Sequence, residues 1–139
     1  MDCIFCGIVN GSVESYSIYA DEHVIVILDI NPVNLGHCLI ISKKHYRNIF
    51  DAPSGLLSHM MIIAQKLSTA ITKALGADGV NIIMTNNKAA GQAIMHLHIH
   101  VIPRFMGDGI RFGFRHKKLT REELIEVADK LRIAMGDQP

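Results

Sequence analysis

An α+β fold, a five-stranded antiparallel sheet with one long helix and a C-terminal helix, is what this sequence predicts. Three observations carry that expectation. Short apolar runs with strand periodicity lie on both sides of a single helical stretch. Polar turns separate the runs closely enough for hairpins and meanders rather than βαβ crossovers. One run, His96-Leu97-His98-Ile99-His100-Val101-Ile102-Pro103, alternates histidine with apolar residues. A strand repeats every two residues, so the three imidazoles share one face while Leu97, Ile99 and Val101 share the other.

The elements follow in order. After a short cysteine-bearing turn, Ser17-Ile18-Tyr19-Ala20 and Val24-Ile25-Val26-Ile27-Leu28 read as strands joined through the polar Asp21-Glu22-His23. Asn31-Pro32-Val33-Asn34-Leu35-Gly36 is turn chemistry leading to a third run, His37-Cys38-Leu39-Ile40-Ile41. From Ser54 to Leu75, Leu56, Met60, Ile63, Leu67, Ile71 and Leu75 recur at helical spacing, and Gly76 stops the helix as a C-terminal cap would. Leu57, Met61, Ile62 and Ala64 lie off that stripe, so the apolar arc is wider than one sheet face needs. A second copy covering it predicts a homodimer. Val80-Asn81-Ile82-Ile83-Met84 is the fourth strand, and the histidine strand is the fifth, closing the sheet. Thr120-Arg121-Glu122-Glu123 is a capping box opening a terminal helix that ends near Ala134. The order is β-β-β-α-β-β-α.

With 139 residues, nearly half of them apolar, the chain is long enough for one domain with its own core. No linker or repeat divides it, so residues 1–139 are expected to form a single domain, core about 3–110 and tail 111–139. A net charge of +1 leaves no basic footprint for a nucleic-acid polymer. No apolar run approaches the roughly 20 residues that span a bilayer, and the first residues lack a signal-peptide pattern, which predicts a cytoplasmic protein. In that compartment Cys3-x-x-Cys6 is a metal-ligand pair rather than a disulfide, and Cys38 is a small buried hydrophobe.

The chemistry concentrates around the histidines. In Thr85-Asn86-Asn87-Lys88-Ala89-Ala90-Gly91-Gln92-Ala93, Gly91 and Ala93 let backbone amides approach an oxyanion, and Asn86 and Gln92 add side-chain donors. A neutral imidazole can attack phosphorus when its second nitrogen is held by an acceptor. His98, flanked by His96 and His100, is disfavoured in its charged form and so is available at neutral pH. His100 can then donate to a phosphate oxygen or a leaving group. His23, His37, His59 and His116 have no partner pattern, with His37 expected in the strand and the others on the surface. The basic, aromatic stretch 111–118 reads as a solvated loop.

At these residues the chain resembles the histidine triad (HIT) proteins, nucleotidyl hydrolases and transferases. The resemblance covers roughly residues 3 to 110: Cys3-Ile4-Phe5-Cys6, Leu28-Asp29-Ile30-Asn31-Pro32, Gly36-His37, Lys43-Lys44-His45, Ala90-Gly91-Gln92, the triad, and Ile102-Pro103-Arg104, with the N-terminal Cys-x-x-Cys of the bacterial-type branch. It implies a HIT-like homodimer hydrolysing a nucleotide phosphoramidate or dinucleoside polyphosphate at the α-phosphate through a nucleotidyl-histidine intermediate. In that comparison His98 is the nucleophile, with His100 and His96 beside it in the catalytic row. Asn86, Gly91, Gln92 and the Ala93 amide surround the phosphates, Asp29 takes the ribose hydroxyls of an AMP-type purine nucleotide, and Phe5, Ile8, Ile27 and Ile30 form the base slot. It further implies a structural zinc on Cys3, Cys6, His45 and His96, a closed set with no position left for water, and no catalytic metal or organic cofactor. Two positions depart from the family pattern: Asn87 replaces a common Gly, and Thr85 replaces an amide side chain. Two other readings compete: a nucleotide-binding regulatory module with little turnover, and a zinc metallohydrolase using His96, His98 and His100 jointly.

Overall fold

The computed structural model describes residues 3–136. Its elements are α1 (Ile4–Asn10), β1 (Ser17–Ala20), β2 (Val24–Leu28), β3 (Cys38–Ser42), α2 (Ser54–Leu75), β4 (Gly79–Ile83), β5 (His98–Arg104) and α3 (Arg121–Met135), with a single 3₁₀ turn at Lys88–Ala90. The five strands form one antiparallel sheet in the order β1-β2-β3-β5-β4. The α+β class holds. Two expectations about its arrangement do not. The cysteine-bearing turn is a helix, α1, capped by the Cys3 sulfur, which accepts from the Cys6 N–H at 3.4 Å, and ended by Gly11 at φ +85°. The histidine strand does not close the sheet at an edge. It inserts between β3 and β4, because β3 pairs with β5 across the long α2 connection and β4 is left outside.

Each face of the sheet carries its own apolar cluster. Leu97, Ile99 and Val101 pack with Val24, Val26, Cys38 and Ile40 under α2, which contributes Met60, Ile63, Ala64, Leu67 and Ile71. Burying each large aliphatic side chain stabilises by about 1.5–3 kcal/mol. Ala64 and half-buried Leu57 therefore belong to the core-facing stripe, whereas Met61 and Ile62 stand exposed. On the opposite face Phe5 and Ile8 of α1 join Ile27, Leu39 and Ile41. The histidines lie on this second face, so α1 is packed beside them. Cys38 is buried as expected, and burial pushes its thiol up to about 11.

The chain divides into two compact units, one ending at Gly109 and one starting at Ile110. The second contains α3. Its capping box is formed: Glu123 N–H donates to Thr120 Oγ1 at 3.1 Å, and Thr120 N–H donates to Glu123 Oε1 at 3.0 Å.

Candidate active site

The register places Leu39 opposite His100 and Ile41 opposite His98, so β3 supplies the floor against which both rings stand. His98 is 8 % exposed, and its Nδ1 lies 2.6 Å from the His96 carbonyl oxygen. A carbonyl only accepts, so Nδ1 carries the proton and Nε2 carries the lone pair. His96 has the complementary arrangement: its Nε2 lies 2.7 Å from the Ser42 carbonyl oxygen, which leaves Nδ1 without a proton.

That Nδ1 faces a cluster. It lies 3.3 Å from Cys3 Sγ, 3.6 Å from Cys6 Sγ and 3.1 Å from His45 Nδ1, and Cys6 Sγ lies 3.3 Å from His45 Nδ1. Tetrahedral zinc sets its ligands about 3.3 Å apart for two nitrogens and about 3.6 Å for nitrogen and sulfur. The donor set and its fixed tautomer fit a structural divalent ion of the zinc type, with Ser42 holding the ligand histidine from behind. Both ring nitrogens of His96 thus have partners, Nε2 the Ser42 carbonyl and Nδ1 the cysteine–histidine cluster, an arrangement that fits the expected metal-ligating role better than a place in the catalytic row. The joint metal site on His96, His98 and His100 does not assemble among the described residues, because His96 turns its Nδ1 away to the cysteines and the three do not form a cluster of converging ligand atoms.

A fourth histidine enters where the sequence showed no partner. His37 is buried, and its Nδ1 accepts from the Val33 N–H at 3.0 Å. The proton must then sit on Nε2, which lies 3.0 Å from His100 Nδ1 and 3.6 Å from Asp29 Oδ2. His37 Nε2–H donates to His100 Nδ1, so a neutral His100 carries its own proton on Nε2. Asp29, His37 and His100 also lie close enough to hold a cation. The Val33 N–H argues against it, because it keeps a proton on the nitrogen that would have to bind. Asp29 Oδ1 accepts from Asn31 N–H at 2.9 Å, a turn that leaves Oδ2 on the His37 side.

Burial pushes all four imidazoles, His37, His96, His98 and His100, below the usual imidazole range. The carboxylate of Asp29 opposes the shift at His37, His98 and His100 but does not reverse it. Because the folded values lie below the unfolded one, the unfolded chain binds more protons in acid. Stability from these groups is complete above about pH 6.5 and is lost as pH falls below it. The denaturant midpoint should therefore fall between pH 7 and pH 5; a midpoint flat over that interval would contradict neutral buried imidazoles.

The loop before β5 is braced rather than open. Gln92 is 5 % exposed; its Nε2 donates to the Arg47 and Ile94 carbonyls at 2.7 and 3.0 Å, and its Oε1 accepts from Asn48 Nδ2 and Asn87 N–H at 3.1 and 2.8 Å. Both amide protons are taken, so Gln92 is not the expected side-chain donor to a phosphate; it holds the loop. Asn86 Oδ1 accepts from Ile49 N–H at 2.8 Å. Asn87 has φ 74° and ψ 162°, a region close to glycine-only, which bears out the departure seen in the sequence. Its side-chain oxygen accepts from Asn48 Nδ2 at 2.7 Å, and Gly91 supplies a second left-handed turn at φ 94°. Ala93 is exposed, and its N–H has no hydrogen bond among the described residues.

Asn48, 1 % exposed, thus ties the segment 47–51 to the loop, and no sequence pattern marks it. Asn48→Ala takes the Asn48 donor from the Asn87 side-chain oxygen and one of the two donors from the Gln92 oxygen. It should cost about 2–3 kcal/mol in chemical denaturation, and an unchanged midpoint would show that the brace contributes nothing.

The expected base slot forms only in part. Phe5, Ile8 and Ile27 are 4 %, 9 % and 4 % exposed and pack on one another, whereas Ile30 is 82 % exposed, because it follows the end of β2 and leaves the sheet. Ile30 lines an open groove of about 960 Å³ with Tyr16, Leu28, Asp29 and Pro32. His59, expected on the surface, is half-buried and lies 2.7 Å from Asp21, away from this site.

The adenylylsulfatase HINT3 of Arabidopsis thaliana is 43 % identical over 103 residues, covering 74 % of this chain and 52 % of that protein. The crystal structure of SMU.412c from Streptococcus mutans superposes with a TM-score of 0.90 at 35 % identity, covering 96 % of this chain and 85 % of that one. A zinc-bound histidine triad family protein from Mycobacterium smegmatis superposes with a TM-score of 0.77 at 37 % identity, covering 96 % and 98 %. Residues 10–107 match the HIT domain family, and the chain belongs to that family.

Proposed function

We propose that this protein is a nucleotidyl hydrolase that releases a purine nucleoside monophosphate from a phosphoramidate, mixed anhydride or dinucleoside polyphosphate through a nucleotidyl-His98 intermediate. One observation carries the reading: backbone carbonyls and amides fix the tautomers so that His98 Nε2 presents a lone pair and His100 Nε2 a proton. His98 Nε2 attacks the α-phosphorus and the bond to the leaving group breaks, with the His100 Nε2–H donating a hydrogen bond to that group and a solvent proton completing it. The positive charge left on the nucleotidyl-imidazole is shared with the His96 carbonyl through Nδ1–H. Water then cleaves the phosphorus–nitrogen bond: its oxygen goes to phosphorus, the bond electrons return to His98 Nε2, and one proton goes back to solvent. Asp29 Oδ2 accepts from the ribose hydroxyls, and Asn86 and the Ala93 amide meet the phosphate oxygens in a loop shaped by Gly91, Asn87 and Gln92. The base lies in the groove at Ile30, with Phe5, Ile8 and Ile27 behind it.

Cys3, Cys6, His45 and His96 would hold a structural zinc that pins α1 to the sheet. A homodimer belongs to the same reading: Met61 and Ile62 are exposed on α2, and Ile82 is exposed on β4, an edge strand with unpaired backbone. No helix among the described residues is long and apolar enough to cross a membrane, and action in the cytoplasm completes the reading.

The test is to follow AMP release from adenosine 5′-phosphoramidate and from adenylyl sulfate. Turnover of either supports the reading. Tight AMP binding with no turnover of these or of diadenosine polyphosphates would favour a regulatory nucleotide-binding module instead.

A further inference from the structure

We propose that Phe5 is a positioning residue for His98, so that the Cys3, Cys6, His45 and His96 set governs the rate of nucleotidyl transfer without touching substrate. This rests on the reading of His98 as nucleophile. The Phe5 ring meets His98 edge-to-face, with centroids 5.0 Å apart and planes at 78°, and meets His96 at 5.8 Å and 79°. At 4 % exposure it has almost no surface left to offer a base.

An imidazole on a strand has two soft torsions, and His98 is held against both. The Nδ1–H bond to the His96 carbonyl fixes which edge faces inward. The Phe5 ring and the His100 ring, each with its centroid 5.0 Å from that of His98, restrict the tilt. Two of these three restraints belong to the cysteine–histidine set. His96 is one of its members, and Phe5 sits between Cys3 and Cys6 in the sequence.

α1 cannot hold Phe5 in place by itself. It has seven residues, and an isolated helix of that length is unstable in water. Its attachments are the burial of Phe5 and Ile8 and the approach of both cysteine sulfurs to His45 and His96. Loss of the second attachment frees Phe5 and loosens the His96 end of the His98 hydrogen bond together. A nucleophile displaced by a fraction of an ångström loses rate, while binding of the nucleotide by Asp29 and the loop is little affected. Sensitivity to a chelator is then expected of an enzyme whose metal never meets the phosphate.

The experiment uses the full chain as Phe5→Leu, with bound zinc measured, steady-state kinetics on adenosine 5′-phosphoramidate, and the ring-nitrogen NMR signals of His98 recorded without substrate. Zinc content should equal that of the wild type. We expect kcat to fall about tenfold with KM changed less than about twofold, and His98 to shift from one tautomer, Nδ1–H, to a mixture. A raised KM at unchanged kcat would make Phe5 a base contact and overturn the proposal, as would wild-type kcat together with a wild-type His98 signal. Wild-type protein depleted of metal by a chelator provides a second arm that does not depend on Phe5→Leu folding. Its His98 signal should show the same mixture while AMP affinity stays within about threefold, and an unaltered signal in folded, metal-free protein overturns the proposal. Absence of turnover by the wild type would count against the hydrolase reading alone, because the His98 signal still reports positioning.

Discussion

AMP release by His98→Ala is expected to fall at least about a thousandfold, with AMP affinity changed by less than about tenfold. The two effects separate because the groups proposed to hold the nucleotide, Asp29 and the Ala93 amide, do not depend on the His98 ring. In the proposed mechanism the ring supplies the attacking lone pair, and among the described residues nothing else is placed to replace it. His96 has both nitrogens engaged, and His100 has its Nδ1 occupied by His37. Isothermal titration with AMP beside a turnover assay checks the pair of outcomes. Equal loss of binding and turnover would mean that His98 is a structural residue of the sheet face.

The second large effect is on stability. Cys3→Ser with Cys6→Ser should remove bound metal and lower Tm by more than about 10 °C. Even a third of the free energy with which small zinc domains bind their metal is about 4 kcal/mol, and a chain of this length loses roughly 3–4 °C per kcal/mol. Turnover per folded molecule should fall far less than it does in His98→Ala. An unchanged Tm in the double variant, with wild-type metal content measured alongside, would contradict a structural metal on this set.

The paired placement of His98 and His100 was legible because it depends on a local rule. His98 and His100 share a face through the two-residue period of a strand, and the apolar residues between them confirm it. α2 and α3 were legible for the same reason, from a stripe of apolar residues in one and a capping box in the other. The corrections fall where long-range pairing decides. His37 lies on the site face only because Leu39 pairs with His100, a register that no local pattern encodes. Asn48 is defined by two partners about forty residues away. α1 was missed because seven residues carry no amphipathic stripe and its cap is a cysteine sulfur rather than an oxygen. Gln92 was misread for a chemical reason: the sequence shows an amide with two donors, and only the fold shows that both are spent.

His96 illustrates the remaining difficulty. Its residue type and spacing match those of His98 and His100, yet it precedes the first residue of β5, and there its ring turns toward the cysteines. The sequence offered both roles, and the direction of one proton, on Nε2 toward Ser42, favours the second by leaving the Nδ1 lone pair toward the cysteines.

The most direct measurement is a rapid alkaline quench of the wild type with adenosine 5′-phosphoramidate, followed by mass spectrometry of the peptide containing residues 96–104. The account predicts a transient mass increase of one adenylyl group on His98 that forms and decays at rates consistent with AMP release. Turnover without any adenylylated intermediate, in a time course fast enough to resolve the first cycle, would contradict it and point to direct attack of water on the α-phosphorus.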